Sequence, residues 1–175
     1  MSKLPTTGEP LAKRPAMQDY GISDEPEGLL PWSYASQRLA ASRNYWIGTT
    51  RSDGRPHAAP VWGVWLDGSL YFGTGPGSVK ARNLAANPAL VVHLESGDDV
   101  VILEGEAQWL TDPDPDLWQR IADQYTAKYA GFRPDPPSAE GPFIVLRPRI
   151  AFGWLETDFV RSATRWSFET QSEDR

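Results

Sequence analysis

The chain has 175 residues, 40% of them hydrophobic, and a formal net charge of −6 at pH 7. This length and composition predict a single domain with a real core, and the acidic balance argues against general nucleic-acid binding. Cysteine is absent, which excludes disulfides, iron–sulfur ligation and thiolate chemistry, and two histidines make a structural zinc site improbable. The sequence contains neither a run of 18 apolar residues nor a secretory signal, so we expect a cytoplasmic protein with no membrane partner.

The N-terminal part of the sequence differs in composition from the rest. Residues 1–30 are rich in proline, glycine and charge and lack hydrophobic periodicity, which is typical of a tail or of an arm over a neighbouring surface. We therefore predict the domain at residues 31–170 and a short C-terminal tail at residues 171–175. The domain begins with PWSYASQRLAASR, whose apolar spacing predicts a short amphipathic helix.

The following segments predict a sheet. NYWIGTT and HAAPVWGVWL are rich in β-branched and aromatic residues, and the Asp-Gly pairs after them predict tight turns. One short helix interrupts this meander of about five strands, DPDPDLWQRIADQYTAKYAG predicts a second clear helix, and FIVLRPRIAFGWLE and SATRWSFE predict two further strands. We expect a mostly β fold, a small antiparallel barrel of about six to seven strands with two to three short helices on its outside.

The segment TGPGSVKARNLAANP combines glycines, cations and the start of a helix. Ser78 stands where a helix N-cap belongs, and a helix start offers free amides and the positive end of the dipole to an anion. Lys80 in the first turn opposes that dipole, so it calls for a negative partner such as a phosphate, and Arg82 adds a donor fork. Alternatively, Ser78 only caps the helix and both cations are solvated; these residues alone leave both interpretations open.

Residues 54–107 carry a longer set of ordered motifs. These are G-R-P-H-x-x-P-V-W, D-G-x-L-Y-F, S-x-K-x-R-N-L-x-x-N-P and G-D-D-V-V-x-x-E-G. In this order they resemble the split β-barrel flavin and deazaflavin oxidoreductases, the relatives of pyridoxamine 5′-phosphate oxidase. The resemblance implies a homodimer with the cofactor at the interface.

The resemblance also implies roles for individual residues. The phosphate of the cofactor would be held by the S-x-K-x-R motif, its chain would face the end of the hairpin strand, and its ring edge would meet main-chain groups of P-V-W. His57 would reach the ligand or the dimer seam, or else it is a surface histidine of a strand. Arg165 and Trp166 adjoin on an extended segment, so they point to opposite faces and one of them could reach the pocket; the alternative is an ordinary strand with an edge arginine. The cofactor-binding candidates are His57, Pro60, Val61, Trp62, Thr74, Gly75, Ser78, Lys80, Arg82, Asn83, Arg165 and Trp166.

The sequence departs from the pyridoxamine phosphate oxidases where those enzymes carry basic residues. Ala59 and Val64 stand at two such positions, and the C-terminal segment lacks the basic residues that grip pyridoxal phosphate. The shorter motifs look more like the branch that uses the deazaflavin coenzyme F420, with FMN as the alternative. The acidic tail of F420 would then meet extra cations, for which the candidates are Arg51, Arg55 and Lys128.

This branch implies an oxidoreductase, not a true pyridoxamine 5′-phosphate oxidase, that transfers hydride between F420 and a small organic substrate. The cofactor supplies the chemistry, and no proton donor or other catalytic residue stands out in the sequence. A non-catalytic carrier or sensor that binds a flavin or deazaflavin is the alternative from another functional class.

Overall fold

The structure is a computed structural model that describes residues 9–168. Within these residues the chain forms nine strands and four helices. The strands are β1 Leu11–Lys13, β2 Asn44–Thr50, β3 Pro56–Trp62, β4 Val64–Leu66, β5 Ser69–Gly73, β6 Ala89–His93, β7 Asp99–Leu110, β8 Phe143–Leu155 and β9 Thr164–Ser167. The helices are α1 Trp32–Ala41, α2 Val79–Ala86, α3 Pro115–Lys128 and the single turn α4 Phe159–Ser162.

All strands belong to one antiparallel sheet. Its main path runs β1-β9-β8-β7-β6-β2-β3, and the β4–β5 hairpin joins it through pairing of β5 with β8. Within the described residues β3 pairs only with β2, so the sheet is open between β3 and β5. The long strands β7 and β8 pair over almost their whole length and carry a register shift at Glu104 and Gly105.

The sheet encloses the main hydrophobic core. Eight strands, β2 to β9, contribute buried residues to it, and helix α1 covers it with Ala35 and Leu39, both fully buried. A second cluster lies on the outer face of β4, β5 and β8, where Leu117, Ile121 and Tyr125 of α3 pack. These three residues recur at positions i, i+4 and i+8, so they form a single apolar line along α3 that packs on this outer face.

The mostly β fold with peripheral helices is confirmed, but it has more strands than the predicted six to seven. One extra strand arises because the segment HAAPVWGVWL is broken at Gly63 into β3 and β4. A Cβ at Gly63 would lie 3.0 Å from the carbonyl oxygen of Tyr71, so the close backbone approach at this break requires glycine. No helix within residues 9–168 has the length and apolar character needed to cross a membrane.

The N-terminal segment differs from the predicted unstructured arm. Strand β1 pairs with β9 from residue 11 onward, although three residues are too few to show periodicity in the sequence. Arg14 fixes the chain that follows, because its guanidinium donates hydrogen bonds to the carbonyl oxygens of Glu25, Glu27, Arg161 and Ala163. Residues 1–8 and the predicted C-terminal tail at residues 171–175 lie outside the described residues.

Candidate functional site

One cavity of about 400 Å³ lies beside the opening between β3 and β5. It brings together two segments that the sequence analysis singled out, the end of β3 and the loop between β5 and α2. Six of the predicted cofactor-binding residues line it, and α3, the loop after it and the start of β8 complete the wall. The lining residues are Pro60, Val61, Trp62, Gly73, Thr74, Gly75, Lys80, Tyr125, Phe132, Pro134 and Phe143.

The α2 end of the cavity has the features of an anion site. Ser78 is the N-cap, as predicted, and its Oγ accepts a hydrogen bond of 3.2 Å from the amide of Ala81. Within residues 9–168 no acceptor takes the amides of Val79 or Lys80, and no carboxylate pairs with the Lys80 side chain. The first turn of α2 contains no acidic residue. The free amides, the helix dipole and Lys80 therefore combine as unneutralised positive potential.

Arg82 lies outside the cavity lining. Its side chain is exposed, and Nη1 donates a hydrogen bond of 2.5 Å to the carbonyl oxygen of Gly77. The guanidinium thus folds back on the loop that precedes α2 and stabilises its conformation. Lys80 lines the cavity, whereas Arg82 binds the preceding loop on the outside. The spacing in the sequence did not distinguish these two roles.

The last residues of β3 form another part of the cavity wall, called the β3 end. Val61 faces the main core, while Pro60 and Trp62 face outward. Helix α3 fixes the backbone here, because Tyr125 Oη donates to the carbonyl oxygen of Trp62 at 3.1 Å. Lys128 Nζ donates to the carbonyl oxygen of Gly63 at 2.9 Å. The backbone of residues 62 and 63 is therefore held by hydrogen bonds from α3.

Sequence reasoning missed the aromatic part of the lining. Tyr125, Phe132 and Phe143 pack around the cavity, with Tyr125 and Phe143 at 5.8 Å between ring centroids. Burial, followed by the nearby Tyr129, raises the pKa of Tyr125, so this phenol stays neutral. No helical periodicity connects the three aromatic residues of the lining, because α3 ends at Lys128 and Phe132 lies in the loop that follows it.

Two predicted ligand contacts, His57 and Asn83, take part in a polar chain instead. Asn83 is buried, and its Nδ2 donates a hydrogen bond of 2.9 Å to Oγ1 of Thr49. Thr49 Oγ1 lies 3.4 Å from Nδ1 of His57 on the neighbouring strand. This chain ties α2 to β2 and β3, and neither His57 nor Asn83 lines the cavity.

The C-terminal pair Arg165 and Trp166 points to opposite faces, as predicted. Trp166 is fully buried in the main core, so its prediction as a cofactor contact is wrong: its ring packs on Trp32 at 5.4 Å and reaches no surface. Arg165 faces outward and donates a hydrogen bond of 2.5 Å to Oγ of Ser167. Arg165 does not line the cavity of its own chain.

The three cations predicted to meet an acidic tail are dispersed. Arg55 pairs with Asp53 at 2.7 Å in the β2–β3 turn, and Arg51 lies in the same turn. Lys128 points inward, where Nζ also donates a hydrogen bond of 3.0 Å to Oη of Tyr45. Burial, together with the charge of Arg43, lowers the pKa of Lys128 to about 8. The Lys128 ammonium therefore donates two hydrogen bonds inside the protein, and its contact with an acidic tail stays a prediction.

Comparison with known proteins gives the family. The family profile described as pyridoxamine 5′-phosphate oxidase matches residues 35–154, which is more than half of the chain. No match was found among curated proteins.

Solved structures share the fold. One named F420 reductase is 24% identical over 66% of this chain and 94% of that chain, with a TM-score of 0.52. A conserved hypothetical protein from Mycobacterium tuberculosis is 23% identical over 81% of this chain and 91% of that chain, with a TM-score of 0.62. A pyridoxamine 5′-phosphate oxidase-related, FMN-binding protein from Nostoc punctiforme is 15% identical over 81% of this chain and 88% of that chain, with a TM-score of 0.55. At these identities the likeness concerns the fold, whereas the family match shows that the chain belongs to the pyridoxamine 5′-phosphate oxidase family.

Proposed function

We propose that this protein is an oxidoreductase that binds the deazaflavin coenzyme F420 in the cavity beside β3 and transfers hydride between it and a small organic substrate. One observation carries the proposal: the cavity joins an unneutralised cationic end at Lys80 to a flat, apolar end at Trp62. A ligand with an anionic group and a planar ring system matches both ends. The family membership supports a cofactor of the flavin type.

The residues at the α2 end fit a phosphate. The amides of Val79 and Lys80 are open donors, and the Lys80 ammonium adds a mobile charge at the same end. Gly75 and Gly77 leave open space around the loop, since a Cβ built on either one meets no atom within 4 Å. We assign the phosphate to these groups, with Arg82 stabilising the loop from outside.

The residues at the β3 end fit the ring. Pro60 and Trp62 form one side of the cavity, and Phe132 meets the Trp62 ring at 5.7 Å and 71°. Lys80 is the only charged residue of the lining within the described part of the chain. An uncharged aromatic enclosure of this kind favours a planar ring and excludes water from it.

In this mechanism the bound deazaflavin supplies hydride transfer to an organic acceptor. The contribution of the chain is to hold the anionic end at Lys80, to set the plane of the ring against the end of β3, and to keep water away with Tyr125, Phe132 and Phe143. Tyr125 remains protonated, and its hydroxyl is bound to the carbonyl oxygen of Trp62.

FMN is the second candidate, since the same two ends suit it and the family profile is that of a pyridoxamine 5′-phosphate oxidase. Titration of the purified protein with each cofactor, followed by fluorescence, decides between the two. We expect F420 to bind at micromolar or lower concentration and more tightly than FMN. Retained yellow FMN absorbance without F420 binding would select FMN.

Turnover separates an enzyme from a carrier or sensor. The assay uses reduced cofactor with quinones, nitro compounds and enones, and we expect oxidation of the cofactor with at least one of them. Tight binding together with inactivity towards every acceptor would contradict the enzyme and favour the carrier.

We also propose a homodimer that completes the site. The outer sheet face next to the cavity is apolar, with Trp46 stacked on His93 and Val91 38% exposed, and it extends to Phe152 and Arg165. A two-fold partner on this face would bring its β9 towards the cavity end of β3. Light scattering should give a dimer, and Arg165→Ala should weaken cofactor affinity without changing the mass. A monomer that binds cofactor with full affinity would contradict this proposal.

A further inference from the structure

The indole of Trp62 is supported by a second aromatic ring. The ring of Tyr129 stacks on it with centroids 4.4 Å apart and an angle of 9° between the planes. Trp62 is nevertheless 44% exposed, so a large part of its surface is free for a ligand. A half-exposed tryptophan at the end of an edge strand would otherwise sample several rotamers.

Tyr129 is itself fixed in the protein interior. Its side chain is 2% exposed, and Oη accepts a hydrogen bond of 2.8 Å from the amide of Gly63. The same hydroxyl donates a hydrogen bond of 2.6 Å to the carbonyl oxygen of Arg43. The Arg43 guanidinium lies 5.9 Å from the ring centre of Trp62 and 5.5 Å from that of Tyr129, beside both members of the stack.

The support comes from the C-terminal end of α3 and from Tyr129, the residue that directly follows it. Tyr125, Lys128 and Tyr129, at positions i, i+3 and i+4, all bind the backbone of residues 62 and 63. Only Tyr129 also covers the indole. The backbone of residues 62 and 63 and the side chain of Trp62 are therefore both held by residues at the C-terminal end of α3.

We propose that Tyr129 is a positioning residue, which holds the Trp62 indole as a fixed flat wall before any ligand enters the cavity. The inference rests on the proposed function in that the ligand is taken to be a flavin or deazaflavin ring. A wall that is already ordered spares the ligand the cost of immobilising a side chain, and this raises affinity without a new contact. Tyr129 therefore acts on the ligand only through Trp62.

Fluorine NMR of fluorotryptophan-labelled protein tests the support without any ligand. The Trp62 resonance is assigned by its loss in Trp62→Phe. In Tyr129→Leu this resonance should shift and broaden, whereas Tyr129→Phe, which keeps the ring, should leave it close to its original position. Ile121→Val is the matched control, because Ile121 is buried in the same α3 cluster without a stacking contact to Trp62. An unchanged Trp62 resonance in Tyr129→Leu would overturn the proposal.

Binding of FMN and F420 tests the consequence. Tyr129→Leu should weaken the affinity of the cofactor that the wild type binds by about 3- to 10-fold, with Tyr129→Phe and Ile121→Val within about 2-fold of wild type. In a Trp62→Ala background, Tyr129→Leu should have no further effect. Additive losses in the double variant would show that Tyr129 does not act through the stack. If the wild type binds neither cofactor, the proposed function fails, and the NMR result alone decides the support.

Discussion

Replacement of Lys80 by methionine tests the phosphate site directly. The side chain is half-buried at the cavity and has no carboxylate partner within residues 9–168, so its charge should not stabilise the unliganded fold. A hydrogen bond to a charged group contributes about 1.5–3 kcal/mol. Lys80→Met should therefore raise the Kd for a phosphate-bearing cofactor about 10- to 150-fold. Arg82→Ala should raise it less than about 5-fold, because Arg82 is exposed and bonded to Gly77.

The assay is a fluorescence titration of each variant with two pairs of ligands. FMN is compared with riboflavin, which differs from it only in the phosphate, and F420 with its phosphate-free nucleoside, which lacks the acidic tail as well as the phosphate. Lys80→Met should reduce affinity for the phosphorylated member and leave the other unchanged. Lys13→Met, which removes the same charge from the exposed edge strand β1, is the control for a general change in potential.

Two results would refute the reasoning. Equal losses for FMN and riboflavin would mean that Lys80 shapes the cavity and does not meet the phosphate. Full affinity of Lys80→Met for every ligand would remove the α2 end of the cavity from the cofactor site.

Three further predictions concern stability. The pKa of Lys128 is lowered to about 8 on folding, so above about pH 8 the unfolded chain binds more protons at this group, and the group makes the free energy of unfolding rise with pH. Buried tyrosines such as Tyr45 and Tyr125, whose pKa is raised on folding, act in the opposite direction as the pH approaches about 10. Urea denaturation of the wild type and Lys128→Met should therefore be compared between about pH 7 and about pH 9, where the wild type should gain roughly 1 kcal/mol relative to the variant after solvent screening, and a difference that does not change with pH would contradict the reasoning. Arg14→Lys should destabilise the protein by about 2 kcal/mol, because a single ammonium cannot reach all the carbonyl groups that the guanidinium binds. Thermal unfolding measures this loss, and an unchanged Tm would contradict the anchoring role. Gly153→Ala should lower the free energy of unfolding by about 1–3 kcal/mol, because a Cβ at this position would lie 2.8 Å from the Trp166 ring. A loss below about 0.5 kcal/mol in urea denaturation would mean that the ring moves aside without strain.

The sequence predicted the fold well where pattern and local chemistry agree. Ser78 caps α2 as expected, and Asp114 caps α3 by accepting from the amides of Asp116 and Leu117. The Asp-Gly pair forms the turn of the β4–β5 hairpin. Asp67 has a φ of 50° and Gly68 a φ of 73°, which is the left-handed region that such a turn uses. These features depend on neighbours in the chain, so no tertiary information was needed.

The candidate site was predicted only in part because it is assembled from distant segments. Pro60, Trp62 and Lys80 lie in ordered motifs and share one cavity. Phe132 and Phe143 come from a proline-rich loop and a strand start, whose positions depend on how α3 packs on the sheet. The sequence predicted opposite faces for Arg165 and Trp166. Which of the two faces the core depends on how β9 pairs with β8, where Trp166 lies opposite the buried Ala151.

Strand β3 ends one side of the sheet and carries two prolines, Pro56 and Pro60. Proline has no amide hydrogen, so a further strand cannot form a continuous ladder along an edge that contains it. The opening beside the cavity is thereby protected against edge-to-edge aggregation, although it must stay accessible to ligands. Sequence variants that remove these prolines should be judged by solubility as much as by binding.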